Sequence, residues 1–277
     1  MFPAVFTRTY PFRTASEVFV ACREDGFGGV QFNLSSAGLE TVPEVVPEHL
    51  ADEIRLSAAA EGIEICAVSA TYNMAHPDPA YRRKMRARLV DVVAIAGCFG
   101  SPVVTVCSGS RDASNMWKAH PDNASAAAWS DFRADLDAAL DLAAVAGLRI
   151  GIEPEPANII LDARTARRLL NDVGSDRLGI VLDAANICAG RSASERRDAL
   201  MEAFDLLADD IVLAHAKDID ADGRVVPPGS GIVDLRLFVR KLAEAGYDRG
   251  LIGHGFDYAD ARLAAHRLGE LCGGSHE

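Results

Sequence analysis

The chain of 277 residues lacks any apolar run long enough to span a bilayer. Its N-terminus lacks a charged stretch followed by an apolar core, so no signal peptide is expected. Basic residues are in deficit: 28 Lys and Arg stand against 40 Asp and Glu, a formal net charge of -12. That balance argues against nucleic acid or an anionic membrane surface as a partner, because a phosphate backbone needs a basic face. None of the six cysteines forms a Cys-x-x-Cys pair, and several lie in apolar runs. Reduced, buried thiols in a cytoplasmic protein are the expectation. No Gly-x-Gly-x-x-Gly follows a strand pattern, which argues against a nucleotide cofactor.

What is present is an ordinary globular balance, 49% hydrophobic and 25% charged, with ample material for one core. Strand and helix periods alternate along the chain. Strands are expected at Phe2 to Thr7, Val30 to Leu34, Ile63 to Ser69, Pro102 to Cys107, Leu148 to Glu153, Leu178 to Asp183, Ile211 to His215 and Leu251 to His254. Helices are expected over Ser16–Glu24, Pro47–Ala60, Asp78 to Ala96, Ser125–Ala146, Ala163–Asp172, Ser194–Leu207, Asp234 to Gly246 and Ala259–Leu271. Eight of each, with no linker, predict an α/β fold: a single-domain parallel (β/α)8 TIM barrel over 1–277. Ser108 to Asn123 reads as a long loop, and Asp218 to Gly231 as a second, rich in Gly and Pro. Long loops of this kind are usually functional or disordered. The first carries Arg111, Trp117 and His120 and reads either as a lid or as a subunit contact.

Four consecutive apolar runs end on a residue able to bind a divalent metal: Glu153, Asp183, His215 and His254. Each interval is about the size of one strand–helix unit. In a closed parallel barrel such ends converge on one face, so the four are expected to share a site for one divalent ion. Two carboxylates and one or two imidazoles suit manganese, magnesium, cobalt or zinc and leave positions for oxygen ligands. Such an ion polarises a carbonyl and stabilises the enediolate left when a neighbouring carbon loses a proton. A carboxylate or an imidazole can take that proton. Gly229-Ser230-Gly231 is a weak candidate phosphate cradle.

Three motifs carry a resemblance: Glu153-Pro154-Glu155-Pro156-Ala157-Asn158, Leu182-Asp183-Ala184-Ala185-Asn186 and His215-Ala216-Lys217-Asp218. With Thr71-Tyr72-Asn73-Met74-Ala75-His76-Pro77-Asp78 and Asn115-Met116-Trp117, they make the chain similar to one branch of the xylose-isomerase-like sugar-phosphate isomerase and epimerase superfamily. The resemblance implies a metal-dependent isomerase or epimerase of a sugar, sugar phosphate or keto-polyol, with a single ion held by Glu153, Asp183 and His215. It implies catalytic roles for Glu153, Lys217 and His254, and substrate contacts from Glu155, Asn186, His76, Tyr72, Arg111 and Trp117. His254 stands where relatives carry a second Glu, and Asn186 where many carry a histidine. The first departure leaves His254 as either a fourth ligand or a substrate contact. It also keeps open a lyase acting on a keto-inositol or keto-glycoside, and a sugar-binding barrel without catalysis. The DNA-repair branch of the superfamily is disfavoured, since it needs more metal ligands than this chain offers. Relatives pair into homodimers or homotetramers, and either assembly is compatible with the chain.

Overall fold

The computed structural model describes residues 1–273. Eight parallel strands close a barrel: β1 (Phe2–Phe6), β2 (Gly29–Asn33), β3 (Glu64–Ser69), β4 (Val103–Cys107), β5 (Arg149–Glu153), β6 (Leu178–Asp183), β7 (Ile211–His215) and β10 (Gly250–Gly253). Outside them lie α1 (Ala15–Asp25), α2 (Leu50–Glu61), α3 (Pro79–Cys98), α4 (Ala126–Ala146), α5 (Ala163–Val173), α7 (Ala193–Leu207), α8 (Leu235–Glu244) and α9 (Ala261–Gly273). Each barrel strand is followed by one helix of this outer ring. No helix among the described residues is long and apolar enough to cross a membrane.

Three local expectations need correction. A one-turn helix, α6 (Ala184–Cys188), follows β6 at once, because the Asp183 carboxylate accepts from Ala185 N and Asn186 N and caps it. Helix α2 starts at Leu50 rather than Pro47; Pro47 only closes a preceding turn through its carbonyl. The loop after β7 holds a two-stranded antiparallel ribbon, β8 (Asp218–Ile219) with β9 (Val225–Val226). Cys22, Cys66, Cys107 and Cys188 are buried thiols, whereas Cys98 is exposed.

Strand alternation sorts side chains into layers. Ala4, Ala67, Val103, Val181, Leu213 and Ile252 pack inside the barrel as its middle layer. Two residues further along each strand, on the same face, come Phe6, Ser69, Thr105, Asp183, His215 and His254.

Two irregularities set this level. Between β6 and β7 the register jumps: Ile180 faces Ile211, but Val181 faces Leu213 and Asp183 faces His215. Without the extra residue Asp183 would lie opposite Ala214. The displaced Val212 turns into the barrel, where Gly151 and Gly179 leave it room; a Cβ on Gly179 would come within 2.3 Å of Val212 Cγ1. A matching jump between β2 and β3 displaces Cys66 inward, sets Gln31 opposite Ala67 and Asn33 opposite Ser69, and is relieved by Gly29 and Gly250. Bulges of this kind re-aim side chains near sites. Gly179→Ala is expected to destabilise the fold by roughly 1–3 kcal/mol, as overpacking does. A urea midpoint equal to that of the parent chain would contradict this account of the bulge.

Candidate active site

Glu153, Asp183, His215 and His254 meet at the carboxyl end of the barrel, each offering a ligand atom, all within 4.8 Å of one another. His215 Nδ1 lies 3.4 Å from Glu153 Oε1 and 3.8 Å from Asp183 Oδ2. His254 Nε2 lies 3.0 Å from Asp183 Oδ2, and the two imidazoles meet edge to face at 4.6 Å. Asp183 and His215 are fully buried, while Glu153 and His254 are open on the pocket side.

The His215 tautomer follows from its neighbours. Gln31 Nε2 donates to Thr105 Oγ1 at 3.0 Å, so the Gln31 carbonyl oxygen is the atom facing His215 Nε2 at 2.7 Å. Nε2 therefore carries the proton and donates it. Nδ1 is left with a lone pair, and it is buried without a hydrogen-bond partner. A buried polar atom with no partner costs free energy unless something binds it. Aimed between two carboxylates, it fits a divalent cation, and the Thr105–Gln31 chain is the kind of outer support that orients metal-binding imidazoles. Gln31→Leu is expected to weaken manganese affinity by roughly tenfold to a hundredfold. Calorimetric titration with manganese measures it, and an unchanged affinity would reduce Gln31 to barrel packing.

Lys217 Nζ donates to Asn186 Oδ1 at 2.7 Å and approaches Asp183 Oδ2 to 3.3 Å; Asn186 Nδ2 in turn donates to Glu153 Oε1 at 3.0 Å. Burial pushes the Asp183 carboxyl up, but Lys217, His254 and His215 outweigh it and hold the group well below the usual carboxylate range. Burial works against the charged Lys217, yet Asp183, Glu155 and Glu153 keep it protonated. Burial lowers His254. Burial and the adjacent Glu153 push Glu155 up to about 8.

A pocket of about 390 Å3 opens above the cluster, lined by Glu153, Glu155, His215, Lys217 and His254 from β5, β7, β10 and the residues after them, and by Phe6, Arg8, Gln31, Asn33, Thr41, Ser69 and Thr71 from β1, β2, β3 and the segments after them. Met116 and Trp117 line it as well. This is within the size range of small-molecule sites, roughly 300–1,000 Å3. A larger groove of about 530 Å3 is lined by other residues, among them Trp129 and Arg168, and by none of the clustered ligand groups.

Of the residues expected to touch substrate, Glu155 and Trp117 line the pocket, and Asn186 borders it through Lys217 and Glu153. Tyr72, His76 and Arg111 are not among the residues lining this pocket, and each is bonded elsewhere. The Tyr72 hydroxyl is drawn outward through the barrel wall to Asp135 on α4, at 3.2 Å. His76 stacks on Tyr81 and bonds the Ala113 carbonyl, and Asp78, not His76, caps α3. Arg111 binds Asp131 on α4 at 2.8 Å and the Ala75 carbonyl. His120 caps the short turn Pro121–Ala124 and likewise stays outside the pocket.

Two neighbouring asparagines fasten the segment after β4. Asn73 pairs with Ser110 N and Ser110 O, and Asn158 accepts from Gly109 N at 2.9 Å while donating to Met116 O at 2.8 Å. Gly109 is required there: its φ is +73°, and a Cβ would meet Asn73 Oδ1 at 2.1 Å. The suggested phosphate cradle is also corrected. Gly229 N and Gly231 N both donate to Asp218 Oδ2, and Val233 N to Asp218 Oδ1, so an internal carboxylate already uses those amides.

Comparison with known proteins finds no match among curated sequences. Solved structures share the fold. The 3-keto-D-glucoside 4-epimerase YcjR from E. coli is 17% identical, with a TM-score of 0.75 over 97% of this chain and 99% of its own. The probable 3-DHS dehydratase AsbF from Bacillus anthracis is 15% identical, with a TM-score of 0.74 over 97% and 98%. The IOLI protein with a binding zinc atom is 16% identical, with a TM-score of 0.73 over the whole of both chains. A family model described as the xylose isomerase-like TIM barrel matches residues 19–267. With the closed eight-stranded barrel in place and the match spanning most of the sequence, the chain belongs to the xylose isomerase-like TIM barrel family.

Proposed function

We propose that this protein is a divalent-metal-dependent isomerase or epimerase acting on a sugar or keto-polyol. The observation that carries the reading is the convergence of Glu153, Asp183, His215 and His254 on one point, with His215 Nδ1 buried and unpartnered. Those four side chains would hold the ion, with His254 as the fourth ligand. A bound divalent ion supplies Lewis acidity to the oxygens of the substrate.

The chain's own groups do the rest. Glu153 takes the proton from the carbon beside the substrate carbonyl, and the electron pair moves onto the carbonyl oxygen. Lys217, fixed by Asp183 and Asn186, places a positive charge where that oxygen becomes negative. Return of the proton to the neighbouring carbon gives an isomer; an epimer forms when Glu153 keeps its proton and a second acid delivers another to the opposite face of the same carbon.

One observation favours a second reading. His254 occupies the position at which a symmetric pair of carboxylates would need a second Glu, and a one-sided site suits dehydration, in which the same enolate expels a β-hydroxyl. AsbF, named as a probable dehydratase, shares the fold. NMR in deuterated water with manganese-loaded protein and a panel of ketoses and keto-polyols separates the two. Isomerisation or epimerisation incorporates deuterium at the carbon next to the carbonyl without loss of water; dehydration lowers the product mass by one water. Turnover that persists undiminished after complete removal of divalent ions would overturn both.

A further inference from the structure

The two walls of the pocket differ in how far their polar groups are satisfied. On the catalytic wall Lys217 is committed to Asp183 and Asn186. On the opposite wall Arg8 is exposed and makes no ion pair or hydrogen bond among the described residues, although it lines the pocket. Its backbone is held firmly. Arg8 sits in the 3-10 turn Thr7–Thr9 after β1, closed by Tyr10 N donating to Thr7 O. The buried Thr7 hydroxyl accepts from Asn33 N at 3.0 Å and from Ser36 Oγ at 2.9 Å.

Asn33 supplies an independent observation. It is fully buried and lines the same pocket. Its Oδ1 accepts from Ser35 N at 2.9 Å and from Thr41 Oγ1 at 3.2 Å, which fixes the orientation of the amide. Nδ2 is left as a donor with no acceptor. A guanidinium beside an unsatisfied amide donor is a set of N–H groups without a matching oxygen.

We infer that the substrate carries an anionic group, a carboxylate or a phosphate, at the end remote from its reacting carbon, and that Arg8 and Asn33 bind it. The inference rests on the proposed reaction, since it concerns the orientation of that reaction's substrate. Neutral hydroxyls are matched by neutral side chains such as Thr41 and Ser69; a guanidinium has no acceptor to offer them and makes its strongest bonds to anions. With the carbonyl end of the substrate at the ligand cluster, Arg8 and Asn33 are the donors left in the pocket for an anionic group at its other end.

The test uses the full chain loaded with manganese and calorimetric titration at low ionic strength. Three six-carbon probes are compared: D-gluconate, D-fructose 6-phosphate and neutral D-glucitol. At least one anionic probe should bind about tenfold or more tightly than D-glucitol. Whichever of the two does so identifies the group as carboxylate or phosphate. That preference should collapse in Arg8→Gln while manganese affinity stays unchanged. Equal binding of all three probes to the parent chain overturns the inference, and so does an anion preference that survives in Arg8→Gln. The manganese titration reads the metal site separately: absence of manganese binding would sink the proposed reaction, whereas the anion-to-neutral ratio judges Arg8 on its own.

Discussion

Replacing Glu153 with glutamine should cut deuterium incorporation by about a hundredfold to ten-thousandfold, the range over which a positioned base accelerates proton transfer. The substitution keeps the shape and an oxygen able to accept from Asn186 Nδ2, so the local hydrogen bonding survives. It removes the negative charge and the basic lone pair. Stability should hardly change, because the lost charge stood beside Glu155 and Asp183 and its removal relieves repulsion. NMR in deuterated water reads the chemistry and urea denaturation reads the fold. A rate within a few fold of the parent chain would reject Glu153 as the base.

Manganese should stabilise the protein, and removing it should reverse the gain. At a hundred times its dissociation constant a ligand specific for the folded state contributes about 2.7 kcal/mol. For a chain of this size that is a rise in Tm of roughly 5–10 °C. Asp183→Asn isolates the effect. Asparagine still presents an oxygen to Ala185 N and Asn186 N, so the cap of α6 is retained. The charge that draws the cation is gone, and the manganese-dependent rise should vanish. Thermal scans of both proteins with manganese and then with excess chelator measure this. An equal rise in Asp183→Asn, or none in the parent chain, would contradict the assignment of the four residues to one ion.

Much of this arrangement is legible in the chain because it depends on local rules. β-Branched runs closed by a carboxylate or an imidazole place Glu153, Asp183 and His215 at strand ends, and barrel closure brings strand ends together. What escapes a reading of the sequence depends on register. Nothing in Leu178 to His215 announces that Val212 is an extra residue, yet that residue brings His215 level with Asp183. Gln31 escapes for a related reason: Val30-Gln31-Phe32-Asn33 shows only the alternation of a strand, and barrel closure is what turns its polar face to the interior. The settings of Tyr72, His76 and Arg111 escape for a like reason: their partners Asp135, Ala113 and Asp131 become neighbours only in the folded chain.

The fastening of Gly109, Ser110 and Met116 by Asn73 and Asn158 bears on how a ligand would be selected. Sealed down at several backbone points, this segment resembles a fixed template more than a door. Discrimination between candidate molecules then comes from how well each fills a preformed contour, with little ordering entropy spent on arrival.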